Sequence, residues 1–274
     1  MSRVLKTTIL GSGSSGGVPR LGGVDGRGQW GACDPDNPKN RRTRCSALFQ
    51  QVTDDGMTSL LVDTSPDMRA QLLAAHVTNL DGVILSHEHA DQLHGIDDLR
   101  LVFHEMHKQV NVYTDAETAE GVLSRFAYCF TQKPGSYYPP IAAMHILPEP
   151  FEILTVNGAG GALPVQFFWQ THGAIRSLGV RLGPVAYSSD VNALDDDAFA
   201  ALDGVECWIV DALRYAPHIS HANVETALKW IARVKPKRAI LTNLHIDLDF
   251  EKLRQELPDG VEPAYDGMVI EMAI

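Results

Sequence analysis

The chain has 274 residues, 45% of them hydrophobic, and a formal net charge of −11, which supplies one large core without a charge-rich or Ser/Gly linker to divide it. That acidity disfavours broad binding to nucleic acid or to an anionic membrane, since both reward positive surface, and it leaves small charged substrates open. Four dispersed cysteines offer no disulfide framework, and no apolar run reaches signal-peptide or membrane-spanning length, so a cytoplasmic protein with reduced thiols is expected.

Short apolar runs alternate with amphipathic segments, which predicts mixed α/β architecture. A strand is expected at 4–10. Behind it, Gly11 to Arg44 is rich in Gly, Pro, Asn and Asp and has little periodicity, so it reads as an ordered surface loop of the functional kind. Its glycine stretch, Gly11 to Gly17, could cradle a phosphate but lacks the Lys-Ser/Thr ending of a P-loop, and a tight turn is the stronger reading. Trp30 either packs this loop onto the core or borders an active site. Lys39, Arg41, Arg42 and Arg44 form the one basic run, read as a solvated face or as guanidinium forks for a phosphate, with Arg44 the candidate substrate contact.

Strands at 45–52 and 58–63 follow, and Ser65-Pro66 opens a helix through Ala75, with Ser as N-cap and Pro at the first helical position. Further strands are expected at 82–85, 110–113, 163–169, 178–188, 206–210, 238–242 and 268–272. A second helix begins at Ser220, where Val224, Ala227, Leu228 and Ile231 recur on one face.

The strand over 82–85 runs into Ser86-His87-Glu88-His89-Ala90-Asp91-Gln92. Imidazoles two residues apart in an extended turn can aim at one cation, and Asp91 adds an oxygen ligand. His172, Asp190 and His245 each stand just after an apolar run, where a strand gives way to a loop. Asp211-Ala212-Leu213-Arg214, with His218 and His221 beyond it, follows Trp208-Ile209-Val210 in the same way.

His-x-His-x-Asp-His after a buried strand is the signature of the metallo-β-lactamase superfamily, and the segment resembles it with Gln92 in the last histidine's place. Asp63 matches the superfamily's first acidic position, and Thr171-His172-Gly173 and Ser188-Ser189-Asp190-Val191 match two later ligand motifs. Leu10 to Pro19, Arg41 to Ser46 and Ala264 to Met268 are similar to the PhnP-like branch, which holds phosphoribosyl cyclic phosphodiesterases. The resemblance covers nearly the whole chain. It implies a four-layer αββα metallo-β-lactamase sandwich, a single hydrolase domain over 1–274, and two divalent ions, zinc or manganese.

By that resemblance His87, His89 and His172 hold the first ion, Asp91 and His245 the second, and Asp190 both, with Asp91 also counted as catalytic. Gln92 offers a neutral, poorer ligand, so the second site is expected to be weak or empty and to favour manganese. His94 is a poor replacement, since it points off the helical face that carries Gln92. Asn243 occupies the place of the family's last histidine, and either it or His245 supplies that ligand, imidazole being the better donor. His221 corresponds to the histidine that protonates the leaving oxygen, or else it caps the helix it precedes. Arg214 and His218 join Arg44 as substrate contacts. A structural zinc site of the resembled enzyme needs a group of cysteines of which Cys33 alone is present, so that site is not expected here.

The reaction implied is hydrolysis of a small cyclic phosphate or nucleotide-like phosphodiester by metal-bound hydroxide. The expected partner is a small phosphate ester, with a nucleotide monophosphate as a further ligand and a homodimer as a possible assembly. Two alternatives stand: hydrolysis of another ester class on the same site (RNA, lactone or thioester), or a degenerate site that binds a nucleotide or metabolite without turnover because of Gln92.

Overall fold

A computed structural model describes residues 3–149 and 151–274; residues 1, 2 and 150, which the expected 1–274 domain includes, lie outside it. In chain order the first elements are β1 (Val4–Gly11), β2 (Ser46–Thr53), β3 (Gly56–Val62), α1 (Met68–Ala74), β4 (Gly82–Ile84), α2 (Ala90–Leu93), α3 (Leu99–Met106), β5 (Val110–Thr114), α4 (Ala116–Phe130), β6 (Ala142–Ile146) and β7 (Leu154–Gly158). There follow β8 (Gly161–His172), β9 (Ile175–Leu182), β10 (Val185–Ser188), α5 (Asp196–Ala201), β11 (Cys207–Asp211), α6 (Val224–Val234), β12 (Arg238–Thr242), α7 (Phe250–Glu256), β13 (Val261–Pro263) and β14 (Met268–Ala273). The described strands form two seven-stranded sheets, ordered β14-β1-β2-β3-β4-β5-β6 and β13-β12-β11-β10-β9-β8-β7. The mixed α/β class expected from the sequence is what the chain adopts.

The chain divides into two compact units. The first takes residues up to Thr8, Ser46–Pro164 and Val269–Ile274. In it β2 and β3 make an antiparallel hairpin, and β3, β4, β5 and β6 then run parallel to their neighbours. Parallel strands are covered on both faces and read as continuous apolar runs. Leu60, Leu61, Val62, Val83, Ile84 and Leu85 are accordingly buried without exception. Asp115 caps α4 by accepting from the Glu117 and Thr118 amides.

The helix expected from Ser65 starts later, at Met68, because the Ser65 hydroxyl accepts from the Asp67 amide and donates to Gln71, holding Ser65 and Pro66 in a turn ahead of it. The helix expected from Ser220 likewise begins at Val224, with Asn223 as its cap.

The second unit takes Ile9–Cys45 and Val165–Met268. Here β8, β9 and β10 are antiparallel in succession, and β10, β11, β12 and β13 are parallel. The single strand expected at 178–188 is split into β9 and β10 by a turn at Gly183, whose φ of +54° suits glycine. The core gathers around fully buried Trp208, with Leu241, Ala227, Ile231, Leu248 and Leu253. The indole nitrogen of Trp208 donates to the Ser188 hydroxyl, so the largest buried side chain keeps its polar atom satisfied.

The long loop from Gly11 to Arg44 is ordered, and its basic run is a solvated face only in part: Arg41 is exposed, Lys39 and Arg44 are half-buried. Arg42 is buried and donates to the His245 carbonyl and to Asn40 Oδ1, Lys39 lies over the Phe250 and Tyr265 rings, and Arg41 stacks on Trp30. Cys33, also buried, donates to the carbonyls of Ile246 and Leu248. All four cysteines are free thiols. No helix among the described residues is long and apolar enough to cross a membrane.

Asp266 ties the start and end of this loop to the chain's C-terminal part. Its carboxylate accepts from Ser12 N (2.9 Å), Ser12 Oγ (2.8 Å), Thr43 N (2.7 Å) and Thr43 Oγ1 (2.6 Å). Burial pushes this carboxyl above its usual range even against those bonds, so the charge is tolerated only because every donor is present. Asp266→Ala is expected to lower unfolding free energy by roughly 3 kcal/mol, measured by urea denaturation; a loss below about 1 kcal/mol would remove the latch from this account.

Candidate metal centre

In the first unit the metal-binding segment begins where β4 ends. Asp63, one residue beyond β3, has a φ of +65°, a left-handed conformation that Asp tolerates better than most residues. Its Oδ1 accepts from the Ser86 amide at 2.7 Å and its Oδ2 from the Ser86 hydroxyl at 2.9 Å. Since that hydroxyl hydrogen is committed to Asp63, the Ser86 oxygen is left to accept from His87 Nδ1, 3.0 Å away. Nε2 is then the basic nitrogen of His87. Burial raises the Asp63 carboxyl to about 7, with the two Ser86 bonds opposing the rise.

The rings of His87 and His89 meet edge to face with centroids 4.7 Å apart, so the two imidazoles expected to share a cation are neighbours. Asp91 and Gln92 lie on the single turn of α2; Gln92 is buried, its backbone carbonyl accepts from Thr64, and its amide reaches towards Asp91 Oδ2 at 3.5 Å. The turn closes at Gly95, where a Cβ would stand 2.0 Å from the Ser65 carbonyl. His94 is exposed and meets Phe126 edge to face.

In the second unit a group of donors collects at the ends of four strands. His172 is the last residue of β8, Asp190 lies two beyond β10 with φ +53°, Asp211 ends β11, and Asn243 follows β12 with φ +62°. One ligand atom from each of His172, Asp190 and His221 lies within 4.8 Å of the other two. His172 Nδ1 donates to the Ser220 carbonyl at 2.6 Å, which leaves Nε2 unprotonated, 4.0 Å from Asp190 Oδ1. His221 Nδ1 sits 2.8 Å from Asp211 Oδ2 and 3.7 Å from Asp190 Oδ1. A buried carboxylate beside an imidazole whose tautomer is set from behind suits a borderline divalent cation such as zinc, and Asp190 and His172 fit one, with His221 beside them held to Asp211.

Asp211 is fully buried; desolvation raises its carboxyl, while hydrogen bonds from His221, the Val191 amide and Asn243 oppose that. Asn243 Nδ2 donates to Asp211 Oδ1 at 3.3 Å and lies 3.1 Å from His221 Nδ1, and the Cys45 thiol donates to its Oδ1. The amide is thereby oriented with its nitrogen towards Asp211 and His221.

His245, expected on the second ion, is not in this group. Its amide donates to the Leu213 carbonyl and its Nδ1 faces Asp247 at 2.9 Å. Burial, followed by the positive charge of Arg20, holds its imidazole below the ordinary value, and Arg214 adds to that effect. Arg214 is half-buried and held by the carbonyls of Ala216 and Pro217. His218 accepts from Ser220 through Nδ1 and stands 5.1 Å, centroid to centroid, from His221. Arg44 is half-buried, its backbone bridged to Gly13.

Sequence reasoning assigns no role to Ser86 and Asp211, although both stand at strand ends, reads Ser220 only as a helix start and does not single out Arg20. Ser86 and Asp211 carry the same signal as the ligands, a polar residue directly after an apolar run.

Residues 58–246 match the profile of the Beta-lactamase superfamily domain. Among solved structures, a diphosphatase of the PhnP family is similar at 27% identity and a TM-score of 0.85, over 100% of this chain and 99% of that one. Zn2+-bound PqqB from Methylobacterium extorquens (18%, TM-score 0.71, covering 97% and 99%) and the short form of human tRNase Z (14%, 0.60, 97% and 98%) share the fold. Among curated proteins, an octanoyltransferase of Porphyromonas gingivalis is 31% identical over 270 residues, 96% of this chain and 51% of that protein. This chain thus spans about half the length of that relative.

Ser86→Ala removes the hydroxyl that sets the His87 tautomer. It is expected to weaken retention of a divalent ion about tenfold, read by competition with a chromogenic chelator; unchanged affinity would count against His87 as a ligand.

Proposed function

Because the chain belongs to the Beta-lactamase superfamily and is a metal-dependent hydrolase, we propose that it hydrolyses a small cyclic phosphate or nucleotide-like phosphodiester. The observation that carries this reading is the grouping of His172, Asp190 and His221, with Asp211 behind His221. The likeness to a PhnP-family diphosphatase supports a phosphate ester as substrate.

His87, His89, His172 and Asp190 are proposed to hold one divalent ion, zinc or manganese, the two histidines of the first unit being assigned by the superfamily's sequence pattern. That assignment makes 1–274 one working domain. A bound divalent ion supplies charge neutralisation at a phosphoryl oxygen and a water of lowered pKa. Asp91 is proposed at a second, weaker position, where Gln92 stands in place of a better donor; manganese suits oxygen ligands of that kind.

His221 acts as the general acid. Asp211 holds its Nδ1 at 2.8 Å, which fixes the ring and leaves Nε2 to carry the proton that the departing alkoxide takes up. His218 and Arg214 line the same loop and contact the substrate's anionic part.

A second reading has its own observation, the 31% identity to an octanoyltransferase over 96% of this chain. It makes the substrate an acyl thioester. RNA is disfavoured by the net charge of −11.

Bis-p-nitrophenyl phosphate, cyclic nucleotides, a lactone and an octanoyl thioester, assayed side by side with the metal-loaded protein, separate the readings. Phosphodiester turnover is expected to dominate, and to fall on the order of a thousandfold in both Asp190→Ala and His221→Ala. Full activity in Asp190→Ala would sink the mechanism, and preference for the thioester would install the second reading. Metal analysis is expected to give about one tightly held ion per chain, rising towards two in Gln92→His; turnover gained only in that variant would mark the native site as a binding site.

A further inference from the structure

The segment between α4 and β6 takes no part in the mechanism above, yet it is folded as a closed loop with rings on its surface. Ile141 N donates to the Cys129 carbonyl (2.8 Å), which joins the two ends of the loop, and Ser136 N donates to the Lys133 carbonyl (3.0 Å), which closes its tip. Within it, Gln132 Nε2 donates to the Ser136 carbonyl (2.7 Å) and Tyr138 N to the Ser136 hydroxyl (3.1 Å). Gly135, with a φ of +80°, permits that turn. Compact loops whose ends meet and whose own side chains hold them are surfaces that proteins put to use.

Three tyrosines stand on this surface. Tyr137 is 98% exposed, Tyr138 76% and Tyr128, in the last turn of α4, 42%, so none of them serves to build the core. Tyr128 and Tyr138 line one pocket of about 160 Å³, together with Arg100 of α3, Lys133, Thr131 and Ser136. Asp97 orients two of these side chains. Arg100 Nη2 donates to its Oδ1 at 2.6 Å, and the Tyr128 hydroxyl is bonded to the same carboxylate. Burial, followed by Cys129 and Asp97, pushes the Tyr128 phenol up to about 12, so the ring stays neutral at ordinary pH.

The charge of the pocket runs against that of the chain. Two cations and no acid line it, in a protein with 34 acidic and 23 basic residues. Asp97 offsets Arg100, but Lys133 forms no ion pair with a described residue. The groove between α1 and α3 sets Asp98 and Glu105 against Arg69, and the one beside α5 and α6 sets Asp196 and Asp203 against Arg233. An anion is therefore favoured here over those two grooves. Size narrows the ligand further. The pocket's 160 Å³ is well below the roughly 300 Å³ at which pockets for drug-sized ligands begin, which leaves room for one ring with its charge at the mouth.

We infer that this pocket binds a planar aromatic ring that carries an anionic group, the ring lying against Tyr128 and Tyr138 and the anion meeting Lys133 and Arg100. Tyrosine faces stack on planar rings, the ammonium and guanidinium groups supply the charge, and the Thr131 hydroxyl adds a neutral donor. A nucleoside monophosphate and an aromatic carboxylate both have that chemistry. None of the lining residues belongs to the proposed metal or substrate set, so the inference stands apart from the hydrolytic reading.

The test is calorimetric titration of the metal-containing protein with adenosine 5′-monophosphate and with 4-hydroxybenzoate, each beside its uncharged counterpart, adenosine and phenol. At least one of the two anions is expected to bind with a Kd below about 1 mM and about tenfold or more tighter than its counterpart; the one that binds tighter identifies the source. Tyr138→Ala and Lys133→Gln should each weaken that anion about tenfold, with Tyr138→Phe keeping the affinity. Both side chains are exposed, so these variants keep the fold. Asp190→Ala, which disturbs the metal centre, should leave the affinity within about twofold. The inference is overturned if neither anion binds by that limit, if the uncharged counterpart binds as tightly, or if either Tyr138→Ala or Lys133→Gln leaves the affinity unchanged. It is overturned as well if Asp190→Ala weakens binding as much as Tyr138→Ala does, since the ligand would then sit at the metal centre.

Discussion

Asp63, Asp190 and Asn243 each leave a strand with positive φ, at 65°, 53° and 62°, and the candidate chemistry depends on that left-handed exit. A non-glycine residue gives up roughly 1 kcal/mol or more to hold it. Asp and Asn tolerate it best because their short polar side chains bond locally. The benefit is direction. The chain turns sharply at the strand's carboxyl end, where parallel sheets place their ligands, and the side chain stays against the strand end. At Asn243 this choice decides which residue joins His221, since the same turn carries His245 on to Asp247.

Burial of carboxylates sets the second constraint. Asp63 and Asp211 are both fully buried, and in each case desolvation is the largest influence on the group. Each is offset by donors that serve another purpose: Ser86 for Asp63, and His221, Asn243 and the Val191 amide for Asp211. The acid thereby acts on the histidine it touches, directly or through one hydroxyl, and sets which ring nitrogen carries the proton. Removing the donor leaves the acid stranded as well as the histidine unoriented, so stability and site geometry are linked through the same few atoms.

The loop from Gly11 to Arg44 shows how an acidic protein uses scarce cations. Arg42 goes inward to the His245 carbonyl and Asn40, while Lys39 and Arg41 cover aromatic faces. Their charge holds the loop in place, and Asp266 secures its two ends. Arg20, outside the basic run, keeps a buried Nε without an acceptor among the described residues. The cations available to a ligand are thus those that the fold has not already spent on packing.

The α/β class and the strand-end positions of His87, His89, His172 and Asp190 could be read from the chain alone. Apolar runs and the polar residue after them are local patterns, and a strand's carboxyl end lies wherever the run stops. The resemblance of the His-x-His-x-Asp segment to a known superfamily rested on the same local spacing, and the family match agrees with it. Helix starts were misplaced at Ser65 and Ser220 because side-chain bonds to Gln71 and the capping by Asn223 decided them. The inward path of Arg42, the pairing of Asp211 with His221, and the choice of Asn243 over His245 beside that pair were decided only by tertiary structure. Each depends on a backbone turn or a buried partner far along the chain, 203 residues for Arg42 and the His245 carbonyl. No local periodicity encodes such a contact, because its energy comes from satisfying a buried charge once the core has closed around it.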